Sequence, residues 1–185
     1  MTREERLERI RLGRVSLRRP RLEDHAAYVH LLRTSEDFHR PWFPSQPPGH
    51  DPASPAAFEH LVRANGMVSR RERRFIVSRD GDELLGMVNL GEIVRGSFQS
   101  CYLGYWIGVE HAGRGHMTEA LCHTVELAFT ELRLHRIEAN IRPENEPSLR
   151  VVRRLGFQRE GYSPRYLEID GEWRDHERWA LLSDA

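Results

Sequence analysis

Gly113 and Gly115 stand one residue apart in the segment Glu110-His111-Ala112-Gly113-Arg114-Gly115-His116-Met117. Without Cβ atoms at these two places, the backbone can curl and bring several N–H groups to one point. From Thr118 onward Leu121, Val125, Ala128, Phe129 and Leu132 recur at helical spacing, so a helix opens as the loop ends. Before the loop, Phe98 to Val109 is rich in aromatic and β-branched residues and reads as a strand. The helix adds its unpaired first-turn N–H groups and the positive end of its dipole. Strand, glycine turn and helix together form a seat for a pyrophosphate. Read without chemistry, the same loop simply turns the chain. The dinucleotide pattern G-x-G-x-x-G is absent, because Thr118 stands where the third glycine would be.

Composition narrows the chemistry. The 185 residues suit one domain, 1–185, with a substantial core, and 1–12 as a loosely ordered lead-in. Formal net charge is zero, so no global field draws the chain to nucleic acid or to a membrane surface. All 28 basic residues are arginine. The lack of lysine excludes Schiff-base chemistry, a pyridoxal-phosphate site and a Walker A loop. Cys101 and Cys122 fall in an apolar strand and a helix without metal-ligand spacing, and the 10 histidines are scattered, so no metal site is expected. The first residues, MTREERLERIRLGR, contain no apolar h-region, and no stretch reaches membrane-spanning length. A cytoplasmic protein is expected.

In chain order, Arg14 to Arg18 alternates as a first strand, and Leu22 to Thr34 carries Ala26, Val29 and Leu32 at helical spacing. A proline-rich segment follows from Pro41-Trp42-Phe43-Pro44 to Pro55, whose aromatics either line a pocket or plug the core. Ala56 to about Arg71 reads as a helix. Phe75–Ser78 and Leu84–Val94 read as strands about an Asp80-Gly81 turn. His135 to Ile141 alternates as another strand. Asn145 then reads as an N-cap, with Pro147 in the first turn and Gly156 just past the end; Leu149, Val152 and Leu155 form the buried face. Two final strands, Phe157–Ile169 and Trp173–Leu182, meet at Asp170-Gly171. One α/β domain with a mostly antiparallel sheet accounts for this order.

Ala112-Gly113-Arg114-Gly115-His116-Met117 resembles motif A of the GNAT superfamily of N-acetyltransferases, Q/R-x-x-G-x-G/A, with Ala112 in place of Gln or Arg and Met117 in place of the last small residue. Asn145-Glu146-Pro147-Ser148 through Gly156-Phe157 resembles motif B, at matching spacing. Pro41-Trp42-Phe43-Pro44, Cys101–Tyr105 and Tyr166–His176 are similar to the ribosomal-protein-alanine N-acetyltransferases of RimJ/RimL type, most of all the RimJ-like subgroup. The resemblance covers nearly the whole chain. It implies the GNAT fold, a mixed sheet flanked by helices with a splayed strand pair forming the acetyl-coenzyme A cleft. It also implies acetyl transfer to a protein's N-terminal amine, possible acceptors being ribosomal proteins that begin with alanine or serine, in a monomer or homodimer.

The same resemblance assigns residues. Trp106, Ile107 and Val109 on the strand, Gly113, Arg114, Gly115, His116, Met117 and Thr118 in the loop, and Asn145 and Ser148 in motif B are expected to hold acetyl-coenzyme A. Glu160 matches the branch's proposed base, with Glu92, expected near the sheet's centre, as the alternative, and Ser148 the group that protonates the thiolate, since Val152 replaces the tyrosine common at motif B. Trp42, Glu92, Tyr105 and Tyr162 are expected on the acceptor side. An α-amino group with a pKa of roughly 7.7–8.0, against roughly 10.4 for lysine, asks little of a base. Two other readings remain open: a small-amine or antibiotic acetyltransferase on the same scaffold, and a non-catalytic acetyl-coenzyme A sensor.

Overall fold

The computed structural model describes residues 1–65, 70–80 and 83–183. Seven strands, β1 (Val15–Arg18), β2 (Glu72–Ser78), β3 (Leu84–Val94), β4 (Ser100–Ile107), β5 (Arg136–Ile141), β6 (Gln158–Ile169) and β7 (Glu172–Leu182), form one sheet. Its order is β1-β2-β3-β4-β5-β7-β6. Every neighbouring pair is antiparallel except β4 and β5, which run parallel. That parallel pairing joins only Ser100, Cys101 and Tyr102 to Arg136, Ile137 and Glu138. Beyond Tyr102 the two strands part, and the sheet opens toward its parallel C-terminal ends. This is the mixed, splayed sheet expected of the GNAT fold.

Helices cover both faces. On one side lie α1 (Arg3–Leu12), α5 (His116–Glu126) and α6 (Glu146–Leu155), packed over a core that includes Val88, Leu103, Leu121, Val125, Ile137, Leu149, Val152 and Leu155. On the other, α2 (His25–Thr34), the short α3 (Glu36–His39) and α4 (Pro55–Arg63) accompany a second, aromatic core of Tyr28, Phe58, Phe75 and Trp106. Alternation along β5 explains why both faces matter. Ile137, Ala139 and Ile141 are buried, while Arg136, Glu138 and Asn140 on the other face are only partly so.

Local chemistry sets the helix ends that bear on the site. Gly115 enters α5 with φ of +86°, in the left-handed region where a Cβ is costly. α5 therefore starts at His116, two residues earlier than its apolar spacing suggested. Asn145 caps α6, its Oδ1 accepting from the Ser148 N–H at 3.2 Å, and Gly156 ends it at φ of +95°.

Four expectations change. Residues 3–12 are not a loose lead-in but helix α1, whose Thr2–Glu5 capping box starts it and whose Arg6, 5% exposed, pairs with Glu126. The buried residues of α2 are Tyr28 and Leu31, because the helix turns its aromatic toward the sheet rather than Ala26 and Val29. The helix expected over 56–71 ends at Arg63, its last N–H bonds closing at Ala64. Glu92 sits not at the sheet's centre but in a β-bulge near the end of β3, at φ of +47°. Of the Asp80-Gly81 turn, Gly81 lies outside the described residues.

Candidate active site

A groove of about 340 Å³ lies between the glycine loop, the end of β4 and the first turn of α6. Gly113 at φ +73° and Gly115 at +86° bend the loop back on itself. No side chain caps α5, so the first-turn N–H groups of His116, Met117 and Thr118 keep their ability to bind an anion. A Cβ added at Gly113 would meet nothing within 4 Å, so the concave side of the loop is open space. Trp106, Ile107, Asn145, Ser148 and, on α6, Arg150 and Arg154 complete the lining. The loop is held from outside: Arg14 Nη2 donates to the Arg114 carbonyl and to Glu119 Oε1, both at 2.7 Å. This donor set, backbone amides at a helix N-terminus with two arginines beside them, suits a diphosphate such as that of coenzyme A.

On the other side of Trp106 lies a second cavity of about 640 Å³. Trp42, Asn89, Asn140, Arg142, Tyr166 and His176 are among its walls. Its lining residues include the cations Arg73 and Arg142 but no aspartate or glutamate. Trp42 is held by the Arg142 guanidinium 5.4 Å above its ring, and Arg142 also donates to the Pro41 carbonyl at 2.7 Å. Tyr105, Trp106, Asn145 and Ser148 line both cavities. At this shared wall Tyr105 Oη and Ser148 Oγ are 2.6 Å apart. The opening between β4 and β5 makes room for the contact, because α6 follows β5 where that strand has parted from β4.

Burial tunes the groups here. It pushes the Tyr105 hydroxyl up to about 12, against the opposing effect of the Ser148 hydrogen bond. It holds His39 below the ordinary imidazole value, although a bond from the ring to the Ile107 carbonyl, 2.8 Å, works the other way. His176, 3% exposed, is likewise held down by burial, against its contact with the Arg174 carbonyl at 3.0 Å. Asn140 Nδ2 donates to Glu138 Oε1 at 3.3 Å and lies 3.2 Å from Tyr166 Oη. Asn140 Oδ1 and Asn89 Oδ1 are buried without a protein partner.

Most of the expected coenzyme residues meet at the groove: Trp106, Ile107, Gly113, Gly115, His116, Met117, Thr118, Asn145 and Ser148. Val109 and Arg114 do not. Val109 donates its N–H to Ser35 Oγ at 3.0 Å and turns its side chain out, while the Arg114 side chain is exposed beside the groove, where Arg150 and Arg154 are the lining cations instead. On the acceptor side Trp42 and Tyr105 line the cavity. Glu160, Glu92 and Tyr162 line neither cavity. Glu160 is bound by Arg136, which holds its carboxyl below the usual range. Glu92 pairs with Arg71 at 3.3 Å on the surface, and Tyr162 with Asp175. Glu160 lies on the same face as Asn140 but beside Arg136 at the far end of β5, and Glu92 lies in the bulge near the end of β3, paired with Arg71.

Asn89, Asn140, Tyr166, His176 and His39 were not foreseen. Their signal was polar residues at alternate places in strands that otherwise read as apolar, Glu138 and Asn140 among Ile137, Ala139 and Ile141 being the clearest case. Among the described residues no group of three or more His, Cys, Asp or Glu could hold a metal ion. No described helix is long and apolar enough to cross a membrane.

Comparison with known proteins agrees with the fold. A family model described as an acetyltransferase (GNAT) domain matches residues 14–158. The ribosomal protein uS5-alanine N-acetyltransferase of Escherichia coli (strain K12) is 46% identical over 104 residues, 56% of this chain and 54% of that enzyme. The chain thus matches little more than half the length of that relative. Spermidine N(1)-acetyltransferase of the same strain is 29% identical over 173 residues, 89% of this chain and 84% of that enzyme. Among solved structures, Mycobacterium smegmatis RimJ in complex with CoA-disulfide superposes with a TM-score of 0.85 at 35% identity, covering 92% of this chain and 82% of that one.

Proposed function

This chain belongs to the acetyltransferase (GNAT) domain family, and from that membership we propose that it transfers acetyl from acetyl-coenzyme A to the N-terminal amine of a protein. The observation that carries the reading is the Tyr105–Ser148 hydroxyl pair, 2.6 Å apart, at the wall common to an anion-binding groove and a separate acceptor cavity. Acetyl transfer needs the thioester on one side of such a wall and the amine on the other, with a proton source between them.

The groove residues hold the coenzyme: amides of the Gly113–Thr118 loop and α5 start take the diphosphate, with Arg150 and Arg154 beside it, and Asn145 and the free edge of β4 take the arm. Ser148 Oγ gives the departing thiolate a proton and regains one from Tyr105. A hydroxyl near 12 is too weak an acid to part with its proton for good to a thiolate. The pair therefore acts as a relay, passing on a proton that the attacking nitrogen sheds.

The acceptor cavity separates the two kinds of amine. A polyamine or aminoglycoside carries several positive charges and needs carboxylates for them; here the lining holds Arg73 and Arg142 and no aspartate or glutamate. A protein N-terminus brings one ammonium group followed by peptide carbonyls, which arginines and asparagines can meet. Likeness to the uS5-alanine enzyme makes ribosomal proteins beginning with alanine or serine the first acceptors to try, and a ribosomal acceptor would be met in the cytoplasm.

Thiol release from acetyl-coenzyme A, measured with peptides beginning Ala, Ser or Met, an N-terminally blocked lysine peptide, spermidine and aminoglycosides, tests this. Turnover confined to free N-termini is expected. Turnover on spermidine alone would transfer the chain to the small-amine reading, and coenzyme binding without turnover on any acceptor would make it a sensor.

A further inference from the structure

Acetyl transfer to an ammonium group needs a base, and neither glutamate suggested by the sequence reaches the cavity. We propose that His176 is that base, its Nε2 taking a proton from the acceptor amine in the cavity walled by Trp42, Asn89, Asn140 and Tyr166. The inference rests on the acetyl-transfer reading above and deepens it.

Elimination and geometry point the same way. The other titratable residues of the lining are Tyr28, Tyr102, Tyr105, Tyr166, Arg73 and Arg142, phenols that hold their protons at neutral pH and guanidiniums that cannot accept one. His176 is 3% exposed and its Nδ1 lies 3.0 Å from the Arg174 carbonyl. A carbonyl only accepts, so Nδ1 carries the hydrogen and Nε2 carries the lone pair. Nε2 makes no hydrogen bond within the protein among the described residues. The ring packs on Tyr166, centroids 5.4 Å apart, which fixes its plane.

Burial keeps the imidazole neutral against a mixed set of neighbouring charges. Arg142, from the segment after β5, disfavours the cation; Glu144 from the same segment and Asp175 on its own strand favour it, and Tyr166 on β6 is uncharged. Burial outweighs these, and the group stays a free base at neutral pH. The buried Oδ1 atoms of Asn89 and Asn140, without protein partners, are acceptors for the ammonium hydrogens that His176 does not take.

The step balances. One ammonium proton moves to Nε2, and the freed lone pair forms the C–N bond to the thioester carbonyl carbon. The C–S bond breaks, its electron pair leaving on sulfur. A second nitrogen proton reaches that sulfur through the Tyr105–Ser148 pair, the third stays on the amide, and His176 releases its proton to solvent.

The pH dependence of kcat, with the best acceptor peptide, separates a base from a structural ring. With His176 present, kcat should hold down to about pH 6.5; in His176→Gln it should fall about tenfold per unit below roughly pH 8, where the amine arrives protonated. The ratio of the two enzymes should therefore be small at pH 9 and exceed about tenfold at pH 6.5. A ratio that does not change with pH overturns the proposal. Coenzyme A affinity by calorimetry, expected within about threefold of wild type, shows that the variant is folded, and His176→Asn repeats the profile with a shorter amide. NMR titration of the ring gives a second reading without turnover: a neutral Nδ1–H tautomer at pH 7.5 supports the assignment, and an imidazolium at that pH overturns it. If wild type binds coenzyme but acetylates no acceptor, the acetyl-transfer reading falls first and the base with it.

Discussion

Tyr105 Oη and Ser148 Oγ, 2.6 Å apart, tie β4 to the first turn of α6 across the place where β4 and β5 have separated. The contact depends on two independent folding events: the divergence of a parallel strand pair, and an Asn145 cap that sets the direction of Ser148. If the pair is one relay, its members act as a unit. Ser148→Ala and Tyr105→Phe should each lower kcat by about 100- to 1,000-fold, within the range expected of a positioned proton donor. The double variant should be no more than about threefold worse than the poorer single one. Coenzyme A affinity by calorimetry should change little in all three. Strictly multiplicative losses would show that the hydroxyls act separately.

Glu160→Gln should leave kcat unchanged at every pH. The carboxylate is bound to Arg136 near the start of β5 and lines neither cavity, and Arg136 holds it ionised well below neutrality. An acid limb that moves in this variant would return Glu160 to the chemistry.

Arg14, just before β1, clamps the glycine loop through Glu119 and the Arg114 carbonyl. Arg14→Met keeps most of the stem but removes these bonds. Arg14 is exposed, and the buried Glu119 keeps its bond from the Arg14 backbone N–H at 2.7 Å, so Tm should fall by only a few degrees. The loop loses its outer support, and KM for acetyl-coenzyme A should rise about three- to tenfold, the worth of one or two hydrogen bonds, with kcat nearly unchanged. A fall in kcat without a rise in KM would argue against the clamp.

The order of strands, the glycine loop and the capped α6 were legible in the sequence because each has a local cause. Apolar periodicity gives the strands and the buried faces of α5 and α6, and Gly113, Gly115, Asn145 and Gly156 mark their ends. Leu149, Val152 and Leu155 are buried as their spacing implies. Beyond Trp42 and Tyr105 the acceptor side was not legible, because its other members come from β3, β5, β6 and β7, and only tertiary packing brings them together. Glu160 and Glu92 were misplaced for a definite reason: each lies at a bulge and is taken up by an arginine outside the cavity, Arg136 or Arg71, and neither pairing has a local sequence signal. His176 looked like one of 10 scattered histidines until the pairing of β7 with β5 and β6 put it beside Tyr166. The Arg6–Glu126 pair likewise spans a sequence distance that no local pattern reports.

Stability should fall as pH drops from about 6.5 to 5.5. Burial holds His39, His116, His123 and His176 below the ordinary imidazole value. Over this window the unfolded chain takes up protons that the native state refuses, so stability rises with pH and is lost as pH falls through the unfolded value of about 6.5. Each imidazole that stays neutral in the native state while charged in the unfolded one costs about 1.4 kcal/mol per pH unit. His39 and His176, 5% and 3% exposed, should supply most of the effect. For a chain of this size each kcal/mol moves Tm by about 2–4 °C, so a drop of about 4–10 °C is expected across that unit. Asp24 and Glu119 shift in the same direction, with the same consequence. Arginine partners depress their pKa against the cost of burial, and their contribution is lost only below about pH 4.5, outside the window. Thermal melts at pH 7.5, 6.5 and 5.5 therefore isolate the histidines, and His39→Gln should flatten the dependence between the last two. A Tm constant from 7.5 to 5.5 would mean that these rings take up protons in the folded chain as readily as in the unfolded one, and His176 would then be charged too early to serve as a base.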